Sequence, residues 1–383
     1  MHKTVIAFAI AGLAAAPAFA DSNVTLYGSV DYGFMIRNGD SGLTDSTKAT
    51  GCRNNSTVCK PKQEFASGIS VPSRLGFRGS EDLGNGIKAI FELEAGFIAD
   101  DGTNSVPGAG GAVPGSGPVF RRHAWVGLTG EFGTVLGGRV DGARYGVAGR
   151  YDPFEQGGVA NMASLQGHVT RGDNAIAYVT PNIEGLYAVL AYTTSLIGQE
   201  HGYNTGDVRD WIIQPNYVHG PVSFTLNYEH LTVHNDPNDT KINVYVAGAS
   251  YDFGVAKVTG YYEHVKTDSN AGSCTSGINC DENSWMIGGV IPVTESDKVR
   301  ASYVDYTDKS SAADSCRKWG IGGQHFLSKR TNLYIDYAQI NQRDKGHCTI
   351  YPTPTAGSDD AGSASNQTGV GTRGYDMGIV HRF

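Results

Sequence analysis

Residues 24–37 read VTLYGSVDYGFMIR, and apolar and polar side chains alternate along the stretch with a period of two. Its apolar set is Val24, Leu26, Gly28, Val30, Tyr32, Phe34 and Ile36, and its polar set is Thr25, Tyr27, Ser29, Asp31 and Arg37. Successive side chains of a β-strand point to opposite faces. The stretch therefore predicts a strand with one apolar and one polar face.

The same alternation returns along the whole chain. It is clear at 87–95 and at 375–383, and no stretch shows a convincing helical period. Seven short turns alternate with eight long polar loops, so fifteen connections join sixteen predicted strands. Short turns on one side and long loops on the other are typical of transmembrane barrels.

The predicted strands can cross a lipid bilayer only if they close into a barrel. Beyond residue 20 there is no apolar run near the ~20 residues that a spanning helix needs. An open sheet in lipid would leave two edges without hydrogen-bond partners. The prediction is an all-β fold: a sixteen-stranded antiparallel transmembrane barrel over residues 21–383, with short periplasmic turns and long extracellular loops.

The first twenty residues have the features of a secretory signal peptide. Lys3 is followed by the apolar run 5–16 and by the small-x-small site at 18–20. This pattern predicts export and removal of residues 1–20. Together with the barrel, it predicts the outer membrane of a Gram-negative bacterium.

Charge and cysteine content narrow the function further. Lys and Arg number 30 against 38 Asp and Glu, a net charge of −8, and no basic cluster suggests nucleic-acid binding. Six cysteines in an exported chain favour disulfides. We infer that the disulfides cross-link the loops, joining cysteines that are close in sequence or that a hairpin brings together, although sequence alone leaves the connectivity open. The inferred pairs are Cys52–Cys59, Cys274–Cys280 and Cys316–Cys348.

Neither a metal nor a cofactor is expected. The cysteine spacings match no zinc pattern, and the glycine-rich segment 107–117 lacks the ending of a phosphate-binding loop. Glu229-His230 and Glu263-His264 are adjacent in sequence, but neighbours on a strand face opposite sides. Each Glu–His pair is therefore predicted to be one lumen residue and one outer residue.

Several motifs resemble the general porins of Gram-negative bacteria, of the neisserial and β-proteobacterial type. They are SRLGFRGSEDLGNG at 73–86, KAIFELE at 88–94, PFEQGG at 153–158 and the terminal Phe383. The resemblance implies a homotrimer in outer-membrane lipid and lipopolysaccharide, with Phe383 read by the barrel-assembly machinery. It also implies a channel, not an enzyme, through which ions and small hydrophilic solutes diffuse passively.

The resemblance also implies a constriction, where loop 3 (residues 143–174) folds into the pore. Acidic residues of loop 3, here Asp152 or Glu155, would face basic residues of the wall. Arg74 is assigned to the basic wall by strand parity, and Arg122 and Arg171 by the family match, with Arg37 and Arg139 as further rim or wall candidates. The alternative for each arginine is a solvated charge at the rim.

Three other functions share part of this pattern. A substrate-specific channel could use the same barrel with an aromatic slide, since Tyr27 and Tyr261 can face inward. A barrel enzyme would need a catalytic constellation that the sequence lacks, and a soluble adhesin would not need the terminal Phe383. The sign of ion selectivity stays open, because the arginines favour anions and the net charge favours cations.

Overall fold

A computed structural model describes residues 23–39, 61–100, 102, 119–162, 165, 168–198, 200, 206–234, 239–269, 281–309, 314–350 and 371–383. These residues form one helix and seventeen strands. The elements are β1 (Asn23–Asn38), β2 (Lys62–Ser67), β3 (Arg74–Gly84), β4 (Ile87–Gly96), β5 (His123–Gly130), β6 (Gly133–Asp141), α1 (Ala143–Tyr151), β7 (Arg171–Val179), β8 (Leu186–Thr193), β9 (Val208–His219), β10 (Val222–Val233), β11 (Thr240–Asp252), β12 (Lys257–Ser269), β13 (Asp281–Pro292), β14 (Asp297–Asp308), β15 (Asp314–Phe326), β16 (Thr331–Asp344) and β17 (Arg373–Arg382).

All the strands belong to one closed antiparallel sheet. Its seam joins β1 to β17, with a register that runs from Ser29 opposite Arg382 to Asn38 opposite Arg373. Both β2 and β3 pair with β1, at opposite ends of that strand. They therefore share one place in the ring, and the predicted sixteen-stranded barrel is confirmed with its second strand in two pieces.

Asp31 stabilises the break between β2 and β3. Its buried carboxylate accepts hydrogen bonds from the backbone N–H groups of Ser70, at 2.6 Å, and Val71, at 2.7 Å. Its own N–H donates to the Ser73 hydroxyl. Backbone groups that leave a sheet need other partners, so one lumen-facing aspartate allows the chain to leave the ladder at 68–73.

The predicted alternation holds in β1. Val24 and Leu26 are exposed on the outer surface, whereas Ser29, Asp31 and Met35 are almost fully buried inside the barrel. Of the described residues, none lies in a helix long and apolar enough to span a bilayer.

The C-terminal residue completes the seam. Phe383 exchanges two 3.1 Å backbone hydrogen bonds with Gly28. A Cβ at position 28 would lie 2.5 Å from the Phe383 ring, so this close approach requires glycine. Recognition of Phe383 by an assembly machinery stays a prediction, and the expected signal peptide, residues 1–20, lies outside the described residues.

One of the inferred disulfides is confirmed. Cys316, in β15, is bonded to Cys348, which follows β16, and their Cα atoms are 6.4 Å apart. The β15–β16 hairpin brings the two cysteines together at its open end. Cys52, Cys59, Cys274 and Cys280 lie outside the described residues.

Candidate functional site

The chain between β6 and β7 folds into the barrel. It begins with α1, which packs against β10, β11 and β12 on the far wall. Gly142 starts the turn into α1 and donates its N–H to the Thr170 carbonyl at 3.0 Å. The loop is shorter than predicted, because Arg171–Val179 forms β7. The helix was not predicted, since it is only one short segment in a chain of strands.

Arg144 ties the start of α1 to the wall. Its guanidinium lies 2.9 Å from Glu229 on β10 and 3.5 Å from Glu263 on β12. Burial works to lower the pKa of Arg144, but the two carboxylates outweigh it and hold the pKa above its usual value. The side chain is therefore a fixed cation.

Arg150, at the other end of α1, has only uncharged partners. It donates to the Asn216 amide oxygen at 2.9 Å, the Tyr187 hydroxyl at 3.0 Å and the Thr225 hydroxyl at 3.1 Å. Within the described part of the chain, no carboxylate pairs with it. Its charge faces the lumen uncompensated.

Glycines in the wall form the seat of the loop. A Cβ at Gly248 of β11 would lie 2.2 Å from the ring of Tyr151, and a Cβ at Gly288 of β13 would lie 2.5 Å from Pro153. Tyr151 is fully buried there and shares hydrogen bonds with the hydroxyls of Ser223 and Thr225. Glycine in a strand marks such close approaches. The wall is thus shaped to receive this loop.

A buried ion pair supports the tip of the loop. Arg300 of β14 donates to both carboxylate oxygens of Asp336 on β16, at 2.7 and 3.0 Å, and lies 4.7 Å from the centre of the Phe154 ring. Asp376 of β17 accepts the Val159 N–H at 2.6 Å. Three strands thereby hold residues 154–159 across the lumen.

Two of the predicted wall arginines converge on one carboxylate. Glu94 of β4 lies 2.5 Å from the Nε of Arg122 and 3.5 Å from the Nε of Arg74. Arg122 and Glu94 are almost fully buried, whereas the Arg74 side chain is 31% exposed. Glu92 lies beside Glu94, and His123 contacts both carboxylates, so the two arginines belong to a larger network of charges. Arg74 is the arginine of the pair whose charge is exposed.

The other three predicted arginines each contact a carboxylate. Arg171 is the first residue of β7 and lies 2.8 Å from Asp141, with its guanidinium 5.0 Å from the centre of the Tyr145 ring. Arg139 pairs with Asp173, and Arg37 pairs with Glu64. Two of these carboxylates are shared, since Asp141 also contacts His123 and Glu64 also contacts Lys62.

His123 links the charges of this wall. One ring nitrogen contacts Glu92, and the other lies 3.0 Å from Asp141. Potential ligand atoms of Glu92, Glu94 and His123 lie within 4.8 Å of one another, close enough to hold a metal ion. Arg122 and Arg74 also contact Glu94, so the same carboxylates and His123 form an ion-pair network on this wall.

The two predicted acidic residues of loop 3 behave differently. The Asp152 carboxylate is 3% exposed and accepts N–H groups of Phe154 at 3.0 Å, Gln156 at 3.2 Å and Met162 at 2.8 Å. It therefore holds the loop together instead of facing a solute. Glu155 is exposed and has a positive φ of 53°. Of the two, Glu155 is the carboxylate accessible to the pore.

A known protein family matches most of the chain. The model of the family described as Gram-negative porin matches residues 5–345. The chain belongs to the Gram-negative porin family. It forms a channel in the outer membrane of a Gram-negative bacterium, through which ions and small hydrophilic solutes diffuse.

Individual relatives extend the likeness over nearly the whole porin. Outer membrane porin protein 32 of Delftia acidovorans is 32% identical over 395 aligned residues, covering 100% of both chains. An outer membrane porin of Bordetella pertussis is 30% identical, covering 87% of this chain and 93% of its own. The solved anion-selective porin from Comamonas acidovorans is 29% identical with a TM-score of 0.73, covering 95% of this chain and 100% of its own.

The sequence analysis of this porin missed the arginines of the loop. Arg144 and Arg150 place basic groups on loop 3 and acidic partners, Glu229 and Glu263, on the wall, the reverse of the expected polarity at that point. Parity predicted that one residue of each Glu–His pair faces the lumen, and in the structure that residue is the buried glutamate, Glu229 or Glu263. The sequence did not predict the roles of Arg144 and Arg150, because these depend on α1, which turns both side chains toward the wall strands.

We expect Asp152→Asn to loosen loop 3 of the porin. An amide supplies one acceptor oxygen where the carboxylate supplies two, so buried N–H groups lose a partner at a cost of about 1–3 kcal/mol. We expect amide hydrogen exchange of residues 152–162 to quicken about tenfold or more, as a loss of 1.4 kcal/mol implies. Exposed Glu155→Gln is the matched control and should leave this exchange unchanged.

The same residue gives the loop a pH dependence. Burial raises the pKa of Asp152 to about 6, although its backbone hydrogen bonds and Lys318 act in the opposite direction. A raised carboxyl pKa means that the seated loop gains stability at low pH and loses it as pH rises through 6. A protonated carboxyl keeps acceptor capacity on both oxygens, which an amide does not, so protonation and Asp152→Asn have opposite effects. Exchange at 152–162 should thus be slower at pH 5 than at pH 7, after correction for intrinsic rates. An equal slowing in Asp152→Asn would contradict this origin.

Proposed function

We propose that loop 3 and the wall formed by β3–β7 are the size and charge filter of this porin, and that the filter favours small anions. The observation that carries the proposal is that Arg74 and Arg122 both contact Glu94, and that the Arg74 side chain stays 31% exposed whereas Glu94 is almost fully buried. Local charge outweighs distant charge because salt screens interactions beyond ~8–10 Å. The net charge of −8 for the whole chain therefore has little influence at this point.

The other predicted wall arginines contribute less to ion selectivity, because each contacts a carboxylate. Arg37, Arg139 and Arg171 hold a carboxylate each and act mainly as fixed parts of the wall. Glu155 is the acidic residue of the loop that faces solutes, whereas Asp152 is structural. The similar anion-selective porin from Comamonas acidovorans supports the same polarity.

The test is a reversal potential across a planar bilayer under a potassium chloride gradient. The porin should give the sign of an anion-preferring channel, and Arg74→Gln should shift the potential toward cations because it removes the exposed cation of the pair that contacts Glu94. Arg330→Gln, an exposed turn residue, is the matched control and should leave the potential unchanged. A cation-preferring potential in the unaltered porin, or equal shifts in both variants, would rule out the proposed filter.

We also propose that the porin is a homotrimer, assembled with the help of its terminal Phe383 and surrounded by lipid and lipopolysaccharide. The support is the family and the apolar outer face of β1, β3 and β5, where Leu26, Phe77 and Val126 are exposed. Unheated protein should migrate at three times the mass of the heated chain, and conductance should appear in steps of three. Migration as a single barrel would contradict the trimer.

A further inference from the structure

A cavity of about 390 Å³ lies between α1 and strands β5–β10. Small-molecule sites span about 300–1,000 Å³ and combine apolar walls with few polar groups. Arg150 and Arg144 lie on the helix side of this cavity. Arg144 is committed to two glutamates, so Arg150 is the cation of this helix that is available to a solute.

Part of the wall opposite the helix is apolar. We call it the apolar strip, and it consists of inward residues of β7 and β8 that line the cavity. They are Ala175, Ala177, Val179, Val189 and Ala191. In the register, Ala177 lies opposite Ala191, and Val179 lies opposite Val189.

Other parts of the wall differ from the apolar strip. The inward, buried positions of β10 include Thr225 and Asn227, and those of β12 and β13 include Thr259 and Ser284. The lumen of a porin is normally lined by polar residues, which form hydrogen bonds with the water in the channel. Buried apolar residues such as Val244 of β11 and Met286 of β13 also face inward, but they do not line this cavity. The apolar strip is distinguished by lining the same cavity as Arg150, together with the carboxylates Glu92, Asp141, Asp210 and Glu229.

We propose that the cavity binds small monocarboxylates that carry an apolar body. The carboxylate lies at Arg150 and the body against the apolar strip. The inference rests on the proposed function. It adds that the anion filter distinguishes carboxylates by the apolar group that they carry. A guanidinium binds carboxylates with two parallel N–H donors.

The partners of Arg150 support this role. Its three hydrogen bonds to Asn216, Thr225 and Tyr187 orient the guanidinium and use three of its five N–H donors. None of the three partners carries a charge, so the cation is held without being neutralised. A heavily hydroxylated anion would have to give up water against the apolar strip, at a cost in free energy.

The experiment compares two six-carbon monocarboxylates, hexanoate and gluconate, as blockers of chloride current through the whole porin in a planar bilayer. Hexanoate presents an alkyl chain and gluconate presents hydroxyls. We expect hexanoate to block saturably at a concentration about fivefold lower than gluconate, because it buries apolar surface. A protein-free bilayer controls for partition of hexanoate into lipid.

Variants separate the apolar strip from the charge. Val179→Thr with Val189→Thr replaces two methyl groups by hydroxyls and should bring the two blocking concentrations together. Val255→Thr with Val293→Thr, at exposed turn positions, should keep the fivefold difference. Arg150→Gln should abolish the saturable block by hexanoate.

The outcomes distinguish the two proposals. Equal block by hexanoate and gluconate in the unaltered porin, or a preference that survives the Val179 and Val189 changes, would overturn the inference while leaving the reversal potential, and so the anion filter, as measured. A cation-preferring reversal potential would instead overturn the filter. Hexanoate block that persists in Arg150→Gln would show that the carboxylate binds elsewhere and overturn the site.

Discussion

Arg300→Met is expected to release the tip of loop 3 and to roughly double the single-channel conductance, because the constriction sets the resistance of the pore. The substitution leaves Asp336 and Asp376 as neighbouring buried carboxylates without their cation. Removing one partner of a buried ion pair costs about 3–5 kcal/mol. It also removes the guanidinium that stacks 4.7 Å from the Phe154 ring.

Two further variants test this explanation. Arg300→Met combined with Asp336→Asn removes both charges of the pair and should recover most of the original conductance and thermal stability. Arg317→Met is the matched control, since Arg317 also pairs with an aspartate, at 2.8 Å, but its side chain is 46% exposed. An exposed pair is worth about 0–1 kcal/mol. If Arg300→Met behaves like Arg317→Met, the tip is held by other contacts.

The second large effect is expected from Gly248→Leu. A Cβ at this position would overlap the buried Tyr151 ring, at 2.2 Å, and overpacking of this kind costs about 1–3 kcal/mol. Since Tyr151 lies between α1 and the β11 wall, the added side chain should push α1 toward the opposite wall. We expect conductance to fall to roughly half, because the gap at α1 narrows.

Gly260→Leu is the matched control for Gly248→Leu. Gly260 lies on the neighbouring strand β12, where a Cβ would meet one carbonyl oxygen at 3.9 Å, an ordinary contact. Conductance and trimer stability of this variant should match those of the unaltered porin. A conductance increase in Gly248→Leu would mean that Tyr151 leaves its site and takes the loop out of the pore.

The barrel was predictable from the sequence because its rule is local. Alternation along 24–37 and the count of turns and loops depend only on neighbouring residues, and both gave the correct faces and ring size. The break at 68–73 was not predictable, since it depends on the Asp31 side chain, some forty positions away in sequence. Arg74 and Arg122 could be assigned to the wall, but their shared partner Glu94 requires the register between strands.

The position of loop 3 inside the barrel was predicted, but its contacts with the wall were not. Its entry into the barrel came from the family resemblance alone. The uses of Asp152 for backbone hydrogen bonds and of Arg144 for wall contacts depend on a nine-residue helix whose sequence has no clear amphipathic pattern. Gly248 could not be interpreted from the sequence either. The reason for a glycine at this position is clear only once the Tyr151 ring is seen to occupy the space of its missing side chain.

The contacts at the tip of loop 3 impose an order on the folding of the barrel. Gly158 donates its N–H to the Ile69 carbonyl at 2.6 Å, and the adjacent Val159 donates to Asp376. Ile69 and Asp376 lie on opposite sides of β1, one beyond β2 and the other in β17, the last strand of the chain. The loop can be fully seated only after the first and last strands have met. A partly closed barrel consequently has no finished filter, and the same step that seals the sheet against lipid also sets the aperture.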